Sequence, residues 1–395
     1  MLNTQILKNM FHGRTHNFWL FESSIGLHIF ASTLISAFIP TLLYRAGFSI
    51  TQIILYFFLF HFFNIFFHLV VEHSVYKFGS KINIIFATFI NILFFVSLAL
   101  ILQMNGMYSL ILIAVLAALY DAFYYVTTNY VFISANQKKE NIRNNTNILS
   151  IVINSASFFG PITGSFLILV FGESVLIYFV ILFFIFSIIP ILKLKNIQVK
   201  PEHRPVKLKA FFSNPVEIKN FMGLVCYKIT QGIEWFLWPL FIYLFFNGKL
   251  EAVVLLAVLI AVSGLIFTIF NFFLNKNYQK ILLIGGSLFL ILSWLMRIYS
   301  DNAIIFYIAP IIASVALLSI QLPIDSNIYK RAKQIGPLAM ATYKNLISML
   351  SKAIFFGFLY IIALNTSTET VFQTAFWISI LSSTFLILLS IKSNN

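Results

Sequence analysis

Hydrophobic residues run along this chain in twelve long stretches, separated by short polar segments except for one long polar interval in the middle of the chain. The stretches, numbered here as spans 1 to 12, lie near residues 18–44, 50–74, 82–103, 107–134, 147–171, 174–192, 219–246, 251–274, 281–299, 303–329, 336–363 and 370–391. A helix needs about 20 apolar residues to cross the hydrocarbon core of a bilayer. Only helices and closed barrels span lipid, and these stretches are too long and too uniformly apolar for barrel strands. The pattern predicts an all-α polytopic membrane protein with twelve transmembrane helices.

The composition agrees with a surface that faces lipid. Of the 395 residues, 60% are hydrophobic and 10% are charged, whereas soluble chains are about half apolar and a quarter charged. The single cysteine, Cys226, excludes an intramolecular disulfide and a cysteine-based metal cluster. No spacing of His, Cys and carboxylates argues for another metal site, and no phosphate-binding Gly-x4-Gly-Lys-Ser/Thr loop is present. We therefore expect no metal, no cofactor, no ATP-driven pumping and no enzymatic activity.

Basic residues are distributed unequally between the two sides of these spans. Of the 26 Lys and Arg residues, 20 precede span 1, follow span 12 or lie around the loops after even-numbered spans. Only Arg45, Lys249 and Arg297 lie at the opposite ends. Loops rich in Lys and Arg stay on the cytoplasmic side of a membrane. We therefore predict a multi-pass plasma membrane protein, in a bacterial inner membrane, with both termini cytoplasmic. The same distribution explains the net charge of +14 without nucleic acid as a partner.

A long polar interval at residues 193–218 divides the chain into two halves of six spans each. We predict an N-terminal bundle at residues 1–192, a basic cytoplasmic linker at residues 193–218 and a C-terminal bundle at residues 219–395. The halves share a short repeat, because Lys-x3-Lys-Ile begins at Lys77 and again at Lys276, between equivalent spans of each half. Such a repeat indicates two related bundles.

In this organisation the whole chain resembles the major facilitator superfamily. Between spans 2 and 3 that family usually reads Gly-x3-Asp-Arg-x-Gly-Arg-Arg/Lys, and Lys77, Gly79 and Lys81 match this gating motif. Tyr76 replaces the usual acid and Glu72 replaces the first glycine. Glu72 and Tyr76 are four residues apart and share a helix face, so Glu72 is a candidate for the missing carboxylate.

A second segment of the chain resembles the span 5 sequence Gly-x3-Gly-Pro-x2-Gly-Gly of exporting antiporters. Here Gly160, Pro161 and Gly164 fit that sequence. The resemblance favours export, although small residues at this spacing also allow two helices to pack closely without any role in transport.

The resemblance implies two pseudo-symmetric six-helix bundles with a substrate site between them near the middle of the membrane. In that fold spans 1, 4, 7 and 10 line the central cavity, and spans 3, 6, 9 and 12 face lipid. Ionisable residues inside a membrane are costly and mark functional sites. The candidates for the substrate and proton pathway are Glu22, Asp121, Lys228, Gln231, Glu234, Trp235, Asp325, Lys344 and Lys352.

Each candidate charge has a functional and a structural interpretation. Asp121 and Glu234 are the leading carboxylates for proton binding; Asp121 is otherwise a partner for a lysine of the other half. Lys344 and Lys352 share a helix face and either bind an anionic group of the solute or pair with Asp121 or Asp325.

The remaining candidates have similar pairs of interpretations. Lys228 and Glu234 either line the cavity or neutralise each other. Glu22 and Asp325 lie nearer the cytoplasmic ends, where they form gate salt bridges or remain among lipid headgroups. His61 and His68 share a face of span 2 and either relay protons or only pack.

These features predict a monomeric secondary transporter of a small organic solute that works by alternating access and is coupled to protons, with membrane lipids around it. Three rivals remain open. They are a facilitator without ion coupling, a flippase for a lipid or lipid-linked compound on the same fold, and a receptor or scaffold that does not transport. A membrane-embedded enzyme would need a tighter cluster of catalytic groups.

Overall fold

The computed structural model describes residues 16–101, 106–136, 142–194, 215–273 and 279–391, and all regular structure in these residues is helical. We number the helices α1 to α12 in chain order. Ten are single helices: α2 (Ile50–Phe78), α3 (Ser80–Ile101), α4 (Met107–Asn136), α5 (Ile142–Phe171), α6 (Glu173–Lys193), α8 (Leu250–Phe273), α9 (Gln279–Ile298), α10 (Ala303–Ile335), α11 (Pro337–Asn365) and α12 (Thr368–Ile391).

The other two helices, α1 and α7, change their winding part-way. Helix α1 runs over His16–Ile35, tightens into a 3-10 turn at Ser36–Phe38 and continues over Ile39–Arg45. Pro40, at the start of the last part, has no N–H to donate to the preceding turn. Helix α7 runs over Pro215–Gly232, widens into a π-helix at Ile233–Leu237 and continues over Trp238–Phe245. Single π turns inside α-helices are frequent at functional sites.

Eleven helices in the described residues are long and apolar enough to cross a membrane. Helix α7 is not among these eleven. It contains the polar residues Lys228, Gln231 and Glu234, and the π-helix divides it into two shorter α-helical parts. The all-α fold of twelve transmembrane helices is therefore confirmed. Helices α2 and α10 extend past the predicted ends of their spans, because a helix can continue into polar sequence where hydropathy no longer indicates it.

Most of the predicted linker, residues 195–214, lies outside the described residues. So do several basic residues on which the orientation was predicted, namely Lys8, Arg14, Lys138, Lys139, Lys195, Lys200, Arg204, Lys207, Lys209, Lys276 and Lys392.

Helix packing is the same in the two halves of the chain. In the first half α1 packs on α5 and α6, α2 on α4, and α3 on α4 and α6. The equivalent helices of the second half pack in the same way: α7 packs on α11 and α12, α8 on α10, and α9 on α10 and α12. The halves meet where α2 packs along α11, α5 along α8 and α4 on α11. The result is two pseudo-symmetric six-helix bundles.

The two ends of the molecule are defined here by the residues at the helix ends that meet there. At one end, which we call the far side, Arg45 at the end of α1 forms an ion pair with Glu173 at the start of α6. Also there, the rings of Tyr44 and Tyr243 lie 6.0 Å apart, which joins the two bundles. The opposite end, where α1 begins and α12 ends, we call the terminus side.

Glycines bring α1 and α5 into direct backbone contact. A Cβ atom at Gly160 would overlap the side chain of Thr33, and one at Gly164 would overlap the carbonyl oxygen of Leu34. The Thr33 hydroxyl also lies 3.3 Å from the carbonyl oxygen of Ala156. The small residues of the span 5 sequence are therefore placed where α5 touches α1.

Candidate functional site

Polar side chains from both bundles meet near the middle of their helices. Asp121 of α4 accepts a hydrogen bond of 2.8 Å at Oδ2 from the Asn64 amide of α2. Helix α4 packs on α11, and the charges of Lys352 of α11 and Lys228 of α7 act on Asp121. These residues, with Asp325 and Lys344, form what we call the central cluster. Asp121 is the carboxylate of the N-terminal bundle in it, and the three lysines belong to the C-terminal bundle.

Two charges of the central cluster neutralise each other. Lys344 of α11 and Asp325 of α10 form an ion pair of 2.8 Å. The second oxygen of Asp325 accepts a hydrogen bond of 3.1 Å from Gln321, one helical turn earlier. Of the two interpretations offered by the sequence, pairing with a carboxylate is the one observed for Lys344.

Lys228 is oriented by neutral groups on its own helix. Its Nζ donates a hydrogen bond of 2.8 Å to Gln231 Oε1, and the Gln231 amide donates in turn to the Tyr227 hydroxyl at 2.8 Å. The Tyr227 hydroxyl donates to Gln321 Oε1 at 3.0 Å. Helices α7 and α10 are thus joined by a chain of hydrogen bonds that connects Lys228 to Asp325 through Gln321.

Lys352 is the lysine of the central cluster with neither a hydrogen bond nor an ion pair among the described residues. It is buried, with 5% of its surface exposed. Its Nζ lies 6.0 Å from the ring centroid of Trp235 and 5.7 Å from that of Phe236, both on the π-helix of α7. Aromatic faces attract a cation weakly, so the positive charge of Lys352 is only partly compensated.

Glu234 faces away from the central cluster, into the C-terminal bundle. Its carboxylate forms an ion pair of 2.7 Å with Arg297 of α9, and both residues are buried. The Arg297 guanidinium carbon lies 4.1 Å from the ring centroid of Trp238 and 4.2 Å from that of Trp294. Glu234 is therefore neutralised by Arg297, and not by Lys228.

The histidines of α2 lie on the buried face that carries Asn64. His61 Nδ1 is 3.3 Å from the sulfur of Met349 on α11. His68 Nδ1 donates a hydrogen bond of 2.7 Å to the backbone carbonyl of Asn64. A third buried histidine, His28 of α1, stacks on Tyr124 at 3.6 Å between ring centroids.

The gating motif and Glu22 lie toward the terminus side. Gly79 has a φ of 81° between α2 and α3, a conformation that favours glycine. Lys81 then donates to the backbone carbonyls of Leu192 and Leu194 at the end of α6. Glu72 is half-buried and Lys77 is exposed at the end of α2, and Glu22 is buried in α1. These residues lie outside the central cluster.

Sequence reasoning missed several residues of this region. Asn64, Tyr227 and Gln321 are neutral, so a search for ionisable residues passes over them. Their spacing was a usable signal: Asn64 lies three residues after His61 and four before His68, and Gln321 lies four before Asp325. Arg297 lies at the end of span 9, and nothing near it in the sequence indicates its pairing with Glu234.

Known proteins share this arrangement of helices. The sequence profile of the Major Facilitator Superfamily matches residues 21–355. The chain belongs to this superfamily. It is therefore a multi-pass membrane transporter, and this membership indicates transport and not enzymatic activity.

Two solved superfamily structures show the same fold across nearly the whole chain. A bacterial homologue of the iron transporter ferroportin, in its outward-facing state, matches with a TM-score of 0.68 and 13% identity, over 96% of this chain and 99% of that one. The human organic anion transporter MFSD10 (TETRAN) matches with a TM-score of 0.67 and 11% identity, over 94% and 100%. At such identities the likeness extends to the fold alone. No curated protein matches the sequence.

Proposed function

We propose that this protein moves a small organic solute across the plasma membrane by alternating access and couples that movement to protons, with Asp121 as the coupling residue. It acts as a monomer in which the two bundles rock about the central cluster. The position of Asp121 carries this proposal, because it places an ionisable carboxylate between the bundles, opposite two lysines of the other bundle.

Protonation of Asp121 changes the charge that α4 presents to α7 and α11. The ionised carboxylate attracts Lys228 and Lys352 and accepts the Asn64 hydrogen bond. The protonated form loses that attraction, so the bundles are held together less strongly on this side. A ligand shifts a two-state protein only if it binds the two states with different affinity. Asp121 meets this condition, because its partners lie on helices that move apart when the bundles rock.

The first test replaces Asp121 by asparagine. In proteoliposomes with an imposed pH gradient, solute accumulation by Asp121→Asn should fall to the level reached without a gradient. Exchange of labelled for unlabelled solute across the membrane should continue, because the variant keeps a polar side chain beside Asn64. The matched control is Glu251→Gln, which removes an exposed carboxylate at the far-side end of α8 and should accumulate solute like the wild type.

Two results would contradict the proposal. Gradient-driven accumulation by Asp121→Asn at the wild-type level would remove Asp121 as the coupling residue. Wild-type transport that is indifferent to the gradient would indicate a facilitator without proton coupling.

The orientation in the membrane has its own test. In a Cys226→Ser background, Lys249→Cys places a thiol at the exposed loop between α7 and α8, and Lys193→Cys places one at the exposed end of α6. A membrane-impermeant maleimide should label Lys249→Cys in intact cells and Lys193→Cys only after permeabilisation, because loops rich in Lys and Arg stay in the cytoplasm. The reverse pattern would place the termini outside.

We leave export out of this function. The resemblance of Gly160 and Gly164 to the exporter sequence favoured that direction, but their contact with α1 explains both residues without it. Transport in right-side-out and inside-out vesicles measures the direction.

A further inference from the structure

We propose that the solute is an organic anion with an aromatic ring, whose acidic group binds Lys352 while its ring lies against Trp235 and Phe236. This inference rests on the proposed function, because it names the solute class of the same site. It follows from three observations: a buried lysine with neither a hydrogen bond nor an ion pair among the described residues, an excess of positive charge, and an aromatic surface beside both.

Lys352 differs from the other two lysines of the central cluster. Lys344 has an ion pair with Asp325, and Lys228 donates a hydrogen bond to Gln231. Lys352 is as deeply buried as Lys344 but has no hydrogen bond or ion pair within the described part of the chain. A buried ammonium group without a partner is costly and is kept only where something compensates it. An anionic group of the solute would supply that partner.

The charges of the central cluster leave room for one anion. The cluster contains three lysines and two carboxylates, Asp121 and Asp325. Once Lys344 and Asp325 neutralise each other, protonated Lys228 and Lys352 leave one positive charge in excess when Asp121 is ionised and two when Asp121 is protonated. A monovalent anion lowers this excess in either state of Asp121, which a low-dielectric environment favours.

An aromatic surface adjoins Lys352 on α7. The π-helix presents Trp235 and Phe236 together, and both rings lie within 6.0 Å of Lys352 Nζ. Trp235 is 52% exposed, so about half of its surface is not covered by the described residues. Phe236 in turn contacts Phe57 of α2 at 4.4 Å between ring centroids, which extends the surface to the other bundle. Aromatic rings stack with an offset or edge to face, and each such pair contributes to affinity beyond its buried area.

The surroundings of Asp121 determine whether the proton and the solute move in the same direction or in opposite directions. Besides its hydrogen bond with Asn64, the ionisable side chains that interact with it are Lys352 of α11, Lys228 of α7, and Tyr120 and Tyr125 of its own helix. The Lys352 charge also acts on His61 of α2. Protonation of Asp121 removes a negative charge that competes with the solute for Lys352. Proton and anion therefore bind cooperatively, and by reciprocity each strengthens the binding of the other. Such a pair travels in the same direction.

The test measures binding to purified protein in nanodiscs, where no gradient is needed. The probe is naphthalene-2-sulfonate, whose charge does not change with pH in the neutral range, and binding is read from protein fluorescence and thermal stabilisation. Lys352→Met should weaken binding about 10- to 100-fold, the loss expected for one charge-assisted contact, and Lys352→Arg should restore most of it. The matched control is Lys249→Met, at an exposed loop position, which should bind like the wild type.

Neutral and non-aromatic probes separate the two parts of the site. The uncharged 2-naphthylmethanol should bind weakly to wild type and Lys352→Met alike. Trp235→Ala should weaken binding of naphthalene-2-sulfonate and leave that of methanesulfonate unchanged. Binding of the sulfonate to the wild type should tighten as the pH is lowered from mildly alkaline to mildly acid, and Asp121→Asn should bind tightly at both.

Several outcomes would overturn the inference. They are absence of sulfonate binding to the wild type, equal binding of the alcohol and the sulfonate, or undiminished binding by a folded Lys352→Met variant. Because these measurements need no proton gradient, their failure is distinct from failure of the proposed coupling. Normal sulfonate binding with transport indifferent to pH would retain the anion site and remove the proton coupling.

Discussion

Replacing Arg297 by methionine should lower the free energy of unfolding by about 3–5 kcal/mol, the usual cost of removing one partner of a buried ion pair. The change leaves the Glu234 carboxylate buried without its partner. Only 4% of Glu234 is exposed, so water cannot replace the guanidinium. It also removes the cation that lies over the rings of both Trp238 and Trp294. The loss is limited by proton uptake at Glu234, which makes the buried group neutral.

A double-mutant cycle separates this ion pair from its surroundings. Glu234→Met alone should be destabilised comparably to Arg297→Met, and the protein with both changes should recover much of the stability, because an apolar pair leaves no buried charge. The measurement is reversible unfolding in detergent. The matched control is Arg45→Met, which breaks the ion pair with Glu173; the Arg45 side chain is 41% exposed, and we expect a loss below about 1 kcal/mol.

The same cycle bears on which carboxylate couples transport to protons. Glu234 is held by Arg297 inside one bundle and does not change partners when the bundles move. The folded fraction of Glu234→Gln should therefore keep gradient-driven transport. Wild-type stability of Arg297→Met, together with lost coupling in Glu234→Gln, would contradict this and return Glu234 to the proton pathway predicted from the sequence.

The succession of helices could be predicted from the sequence because the bilayer imposes it. A span must be apolar over its whole length whatever it packs against, so hydropathy alone finds it. The twelve predicted spans each correspond to a helix in the structure. The π-helix at Ile233–Leu237 was not predicted, since a π turn has no hydropathy signal of its own.

The partners of the charged residues could not be predicted in the same way. Arg297 and Glu234 are 63 residues apart, and Asn64 and Asp121 are 57 apart. Which side chains meet depends on how each helix is rotated about its axis, and an apolar helix that faces lipid on one side and protein on the other has little periodicity to show it. The candidates Asp121, Glu234 and Lys352 could therefore be chosen from the sequence, whereas their partners are visible only in the structure.

Replacing Gly164 by alanine should have the second large effect, through the contact of α5 with α1. A single added carbon would overlap the carbonyl oxygen of Leu34, and backbone atoms cannot rotate away as the end of a side chain can. The helices must then separate, which loosens the packing on both sides and costs about 1–3 kcal/mol or more for an overpacked contact. In membranes such packing is a main source of helix association.

Gly285→Ala is the matched control for this change, because it adds the same carbon to helix α9 at a position where the new Cβ would meet no described atom within 4 Å outside its own helical turn. Alanine has a higher helix propensity than glycine, so this variant should be at least as stable as the wild type in a thermal unfolding assay. The Gly164→Ala variant should unfold at a clearly lower temperature. Equal unfolding temperatures for the two variants would mean that α1 and α5 do not approach as closely as described. A difference between them would show that Gly164 is required for packing, whether or not the protein exports its solute.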